Sequence, residues 1–215
     1  MKKKLELSLE LTIKNSMAQI EEYEWENKNF YADYMAQTFY YVRHSTRLLA
    51  LCASRLNYEQ EQQIHLRFIK HLSEESNHEK LALNDLANLG HNIDQFPELN
   101  STRLFYEPQY FKIEHEKPLA LMGYILFLEA LAQKVCPPLT KKLTSCFGKR
   151  SATFFHVHGE EDPEHVAEAL KMIQGLDDSN LFVIEKNLRQ TAYAYSQMLH
   201  ELKLKWHNLE IKKSA

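Results

Sequence analysis

Residues 119–132 read LALMGYILFLEALA, fourteen positions of which only Glu129 is charged. A helix made from this run is apolar on every face, and such a helix is enclosed by its neighbours rather than laid on a surface. The run is shorter than the ~20 apolar residues that cross a bilayer, so it predicts the buried central helix of a globular domain. A carboxylate in that helix has no wet side to turn to, and burying it unpaired costs several kcal/mol. Glu129 therefore needs a proton, a base or a cation inside the fold.

The rest of the chain is consistent with a helical bundle around this segment. With 5 Gly and 6 Pro in 215 residues, the frequent reversals of a β-sandwich or a low-complexity chain are excluded. A net charge of −3 with both signs interspersed excludes a phosphate-binding surface, so no nucleic-acid partner is expected. No membrane partner is expected either. Met-Lys-Lys-Lys at the start is followed by Glu6 and Glu10 with no apolar stretch, which is no secretory signal. Three cysteines without a C-x-x-C pair fit thiols in a reducing cytoplasm.

Working outward, Ser16 to Leu56 lacks Gly and Pro and reads as one long helix, with Phe30, Tyr34, Tyr41, His44 and Leu48 on a stripe. Asn57 offers a cap for a second helix running to Leu89 and closed by Gly90. Ser101–Lys112 reads as a short helix. The central helix is expected to bend or end at Pro137-Pro138, with Gly148 beyond it. Further helices are predicted over 151–158, from Pro163 to Gln174 and from Leu181 to Trp206. The sum is an all-α domain of about six or seven helices over residues 16–210. Residues 5–13, LELSLELTI, alternate with period two, which predicts an extended arm over residues 1–15. Such an arm is either mobile or pairs with a second subunit in a homodimer.

Chemistry is concentrated where ionisable groups interrupt apolar stripes. His71, Glu75 and His78 stand at i, i+4 and i+7 in the second helix. They read either as a site or as charges that a slight turn of the helix delivers to water. His158, Asp162 and His165 repeat the same spacing, although Pro163 predicts a break between residues 159 and 162. A solvated turn in which Asp162 caps the next helix is the alternative there. Joined with Glu129, the clusters supply Glu75, His78, Glu129, His158, Asp162 and His165. Three carboxylates and three imidazoles without a thiolate suit iron or manganese better than structural zinc. Two divalent ions would be nearly neutralised by the three carboxylates.

The ferritin-like carboxylate proteins share part of this pattern, but the first long helix lacks their glutamate. The chain more closely resembles the haem-oxygenase-like di-iron oxidases and oxygenases, which share their fold with the thiaminase II and pyrroloquinoline-quinone synthase groups. The resemblance rests on Glu75-x-x-His78 followed by Asp85-Leu and Leu89-Gly90, on Glu129 about thirty residues before the last motif, and on His158-x3-Asp162-x2-His165. It implies a haem-oxygenase-like bundle holding two iron ions, with manganese as the substitute, that activates O2 and oxidises a small organic substrate. Many members carry another carboxylate on the first helix. Here His44 is the only mid-stripe candidate, as a seventh ligand, a hydrogen-bond partner or a core histidine. His71 and Glu185 are held as supporting groups around the ligands. Two alternatives keep the fold: a thiaminase II-type hydrolase with Cys136 as nucleophile, and a metal-binding protein without catalysis.

Overall fold

The computed structural model describes the backbone of residues 1–214 and their side chains, apart from those of 161–165 and 208–214. Among the described residues there are nine α-helices and no strand: α1 (Lys2–Glu21), α2 (Lys28–Val42), α3 (Ser45–Arg55), α4 (Tyr58–Glu74), α5 (His78–Asn88), α6 (Asn100–His115), α7 (Leu121–Phe147), α8 (Thr153–Ile173) and α9 (Asp178–Ser214). Short 3-10 turns precede α6, α7 and α8. The chain folds as an all-α bundle.

The central run becomes α7, which packs against α8 and α9 and also touches α1. Leu126, Phe127 and Leu143 are fully enclosed in it. Pro118–Phe147 is long and apolar enough to cross a bilayer by composition, yet 67% of its most apolar window is buried inside the fold, as in the core helix of a bundle. Gly123 lets α7 and α9 meet backbone to backbone. A Cβ at this position would stand 2.2 Å from the Ile184 carbonyl oxygen.

Several sequence expectations are corrected. Residues 1–15 are not an extended arm but most of α1. A period-two run can be read on a helix: Leu5, Leu9 and Ile13 are spaced four apart and face inward. Leu7 and Leu11 lie on the opposite side at 63% and 55% exposure. Helix α1 packs along α9, so the strand offered for subunit pairing does not exist.

The single helix expected over 16–56 is three. Asn27 caps α2 by accepting from the Asn29 and Phe30 amides at 3.1 and 3.2 Å, and the chain breaks again at His44. The second stripe is also divided, at Asn77, whose φ of 74° is left-handed and separates α4 from α5. Conversely, α7 runs through Pro137 and Pro138 to Phe147. Leu139 and Leu143 continue its buried face, and that burial outweighs the lost backbone hydrogen bonds. Helix α8 likewise continues through residues 159–162.

Candidate metal centre

The break at Asn77 builds half of the site. Glu75 ends α4 and His78 begins α5, so Glu75-x-x-His78 straddles a turn instead of lying on one helix. This turns His78 Nδ1 to 3.9 Å from Glu75 Oε1. His158 enters from the second turn of α8, with its ring centroid 5.0 Å from that of His78. One donor atom from each of Glu75, His78 and His158 lies within 4.8 Å of the other two.

His158 is firmly oriented. Its Nδ1 donates to the Phe154 carbonyl at 2.9 Å, and its ring stacks on Phe154 at 4.1 Å. An imidazole whose Nδ1 carries the proton has its lone pair on Nε2, the form that binds metals.

Glu129 joins the cluster through His71. The His71 Nε2 lies 3.0 Å from Glu129 Oε1 and 3.6 Å from Glu75 Oε1. Burial by itself would lower the His71 pKa, but hydrogen bonds and attraction from Glu129 and Glu75 raise it to about 10. Burial likewise pushes Glu75 up, yet the His71 hydrogen bond and the nearby His158, His71 and His78 rings bring it down to about 2. The His71 imidazolium thus offsets part of the negative charge of the two carboxylates it faces.

These groups open onto a cavity of about 90 Å³. Its walls include Leu48, Leu121, Leu131 and Phe154, with Tyr34, Tyr41, Tyr124 and Tyr195 among them. The Tyr34 and Tyr195 hydroxyls bond each other at 2.8 Å, whereas the buried Tyr124 hydroxyl has no hydrogen-bond partner among the described residues. Burial, followed by the Glu75 charge, raises the Tyr124 pKa, so this phenol stays protonated. Among the described residues no lysine or arginine lines the cavity. Cys136 lines it and is buried.

Of the residues singled out in the sequence, Glu75, His78, Glu129 and His158 are brought together, with His71 between the two carboxylates. The side chains of Asp162 and His165 lie outside those described. His44 is half-buried and engaged elsewhere: its Nδ1 meets the Tyr110 hydroxyl at 2.8 Å and its ring stacks on Tyr106 at 4.0 Å. It does not line the cavity. Glu185 is also elsewhere. It accepts from Ser8 at 2.8 Å and pairs with Lys4 at 3.2 Å, which ties α1 to α9.

The donor set fits a divalent iron or manganese ion. Its ligands are nitrogen and carboxylate oxygen without sulfur.

Comparison with known proteins bears on the fold and the family. A domain of unknown function with a heme oxygenase-like fold from Shewanella denitrificans OS217 superposes with a TM-score of 0.82 at 19% identity, covering 94% of this chain and 93% of that one. A TenA homolog from Pseudomonas syringae pv. tomato DC3000 superposes with a TM-score of 0.77 at 12% identity, covering 93% of each chain. At these identities the likeness establishes the heme oxygenase-like fold. A comparison with curated proteins returns no match. One family's sequence model covers residues 32–202, a span that includes both halves of the centre. The chain belongs to that family, the iron-containing redox enzymes.

Proposed function

We propose that this protein is a non-haem di-iron oxidoreductase that uses O2 to oxidise a small organic substrate. The observation that carries the reading is the convergence of Glu75, His78 and His158 within 4.8 Å, with Glu129 one imidazole away, inside a helical core. Iron bound there would supply the electrons that O2 reduction requires.

Glu75, His78 and His158 are the residues to hold one ion. A second ion would be held by Glu129 with Asp162 and His165. His71 holds a proton between Glu129 and Glu75 and keeps Glu75 charged. The apolar walls exclude water from the reacting region. The Tyr124 hydroxyl, on the cavity wall, can donate to one acceptor on the substrate.

A second reading is favoured by two observations: Cys136 lines the same cavity, and one structural neighbour is a TenA homolog. A thiaminase II-type hydrolase would use that thiol as nucleophile. Cys136→Ser separates the readings. Iron-loaded protein that consumes O2 equally well with and without the thiol supports the oxidoreductase. Thiamine cleavage by metal-free protein, abolished in Cys136→Ser, would establish the hydrolase instead.

A further inference from the structure

Asp85 is fully buried, sits on α5 seven residues after His78 and belongs to none of the proposed ligands. Its carboxylate spans to the start of α8. Oδ1 accepts from the Thr153 amide at 2.9 Å and the Thr153 hydroxyl at 2.6 Å, and Oδ2 accepts from the Phe154 amide at 2.9 Å. A helix start leaves its first amides without partners inside the helix, and here a carboxylate from another helix satisfies two of them. Neighbouring Asn84 adds donors to the Arg150 carbonyl and the Thr153 hydroxyl, both at 3.2 Å.

The consequence reaches the metal centre in two bonds. Phe154, whose amide is held by Asp85, offers its carbonyl to His158 Nδ1 at 2.9 Å. The same helix that presents His78 therefore holds the residue whose carbonyl orients His158. We infer that Asp85 is a positioning residue for the centre, setting His158 Nε2 against His78 and Glu75 by clamping the first turn of α8 to α5. This rests on the metal-centre reading only for its effect on ion binding. The effect on His158 itself belongs to the metal-free protein.

Asp85→Asn tests the inference. An amide keeps the size but presents an NH2 where one of the two amide donors needs an acceptor, so one side of the clamp is lost. Asp33→Asn is the control. Asp33 is equally buried and holds Gln37 at 2.9 Å and Trp206 at 3.0 Å, between α2 and α9.

Two readouts are needed. The first is the nitrogen NMR spectrum of the histidines in metal-free protein, which reports the tautomer of His158 directly. Wild type and Asp33→Asn should show a single Nδ1-protonated form, whereas Asp85→Asn should show a shifted signal with both tautomers populated. The second is anaerobic titration with Co(II), followed by its visible absorbance. Asp85→Asn should bind about 10–100-fold more weakly, the usual effect of losing a group that orients a metal ligand, while Asp33→Asn should match wild type. Unchanged His158 signals in Asp85→Asn would overturn the inference, as would equal losses in both variants. Wild-type protein that fails to bind Co(II) would refute the metal centre instead, leaving the NMR comparison to decide the role of Asp85.

Discussion

Glu129→Gln probes the most costly feature of the fold, a carboxylate inside an apolar helix. Glutamine preserves the volume and removes the charge, so His71 loses its 3.0 Å ionic partner but keeps Glu75 at 3.6 Å. Stripping a buried ion of its only partner costs about 3–5 kcal/mol. With Glu75 remaining, the loss reduces to that of one hydrogen bond between charged groups, about 1.5–3 kcal/mol. In a chain of 215 residues each kcal/mol moves the melting temperature by about 2–4 °C, so metal-free Glu129→Gln should melt about 3–12 °C below wild type. Differential scanning calorimetry at neutral pH measures this directly. The drop should persist at ~0.5 M salt, because a buried pair is screened far less than a surface one. A melting temperature within ~1 °C of wild type would refute the argument that Glu129 and His71 compensate each other.

The pair also predicts a pH profile. Glu75, lowered to about 2 from an ordinary 4.5, contributes its stability fully above pH 4.5 and loses it as pH falls toward 2. His71, raised from an ordinary 6.5 to about 10, contributes fully below pH 6.5 and loses it as pH rises toward 10. Metal-free stability from this pair should therefore be greatest between pH 4.5 and 6.5. Denaturant melts of His71→Asn should lack most of the alkaline decline, and an identical decline in both proteins would contradict the assignment. Removing residues 1–21 should expose the faces that Leu5, Ile13 and Ile20 cover, each nearly buried and each worth about 1.5–3 kcal/mol. That total rivals the 5–15 kcal/mol stability of a typical domain, so the truncated chain should aggregate or melt far below wild type. A truncated chain with the wild-type melting temperature would show α1 to be dispensable.

The residues that define the fold were legible because burial leaves a periodic trace. The uniformly apolar run of α7 and the mid-stripe Glu75, His78, Glu129 and His158 announced a core helix and a polar centre within it. The alternating leucines of α1 misled because positions 5, 9 and 13 satisfy a helical face as well as a strand face, and only the presence of α9 decides between them. The break at Asn77 was hidden for a related reason. His71, Glu75 and His78 have ideal spacing on an unbroken helix, yet the left-handed residue that divides them is what brings His78 back toward Glu75. The proline pair in α7 argued for an end that the burial of Leu139 and Leu143 overrode. Glu185 looked like a member of the centre because it faces inward, but its partners Lys4 and Ser8 lie 181 and 177 residues away in sequence. No local pattern reports such a distant pairing. His71 did carry a signal, one helical turn before Glu75, although its link to Glu129 joins α4 to α7 across 58 residues of sequence, which no local pattern reports.

The most direct test of the account is iron content. The chain would be reconstituted with Fe(II) in the absence of oxygen, freed of loosely bound metal, and analysed for iron per polypeptide alongside His78→Ala and His158→Ala. Two ions per wild-type chain, falling to one or none in each variant, is the predicted result. A folded wild-type chain that retains no iron, or variants that retain as much as wild type, would contradict it.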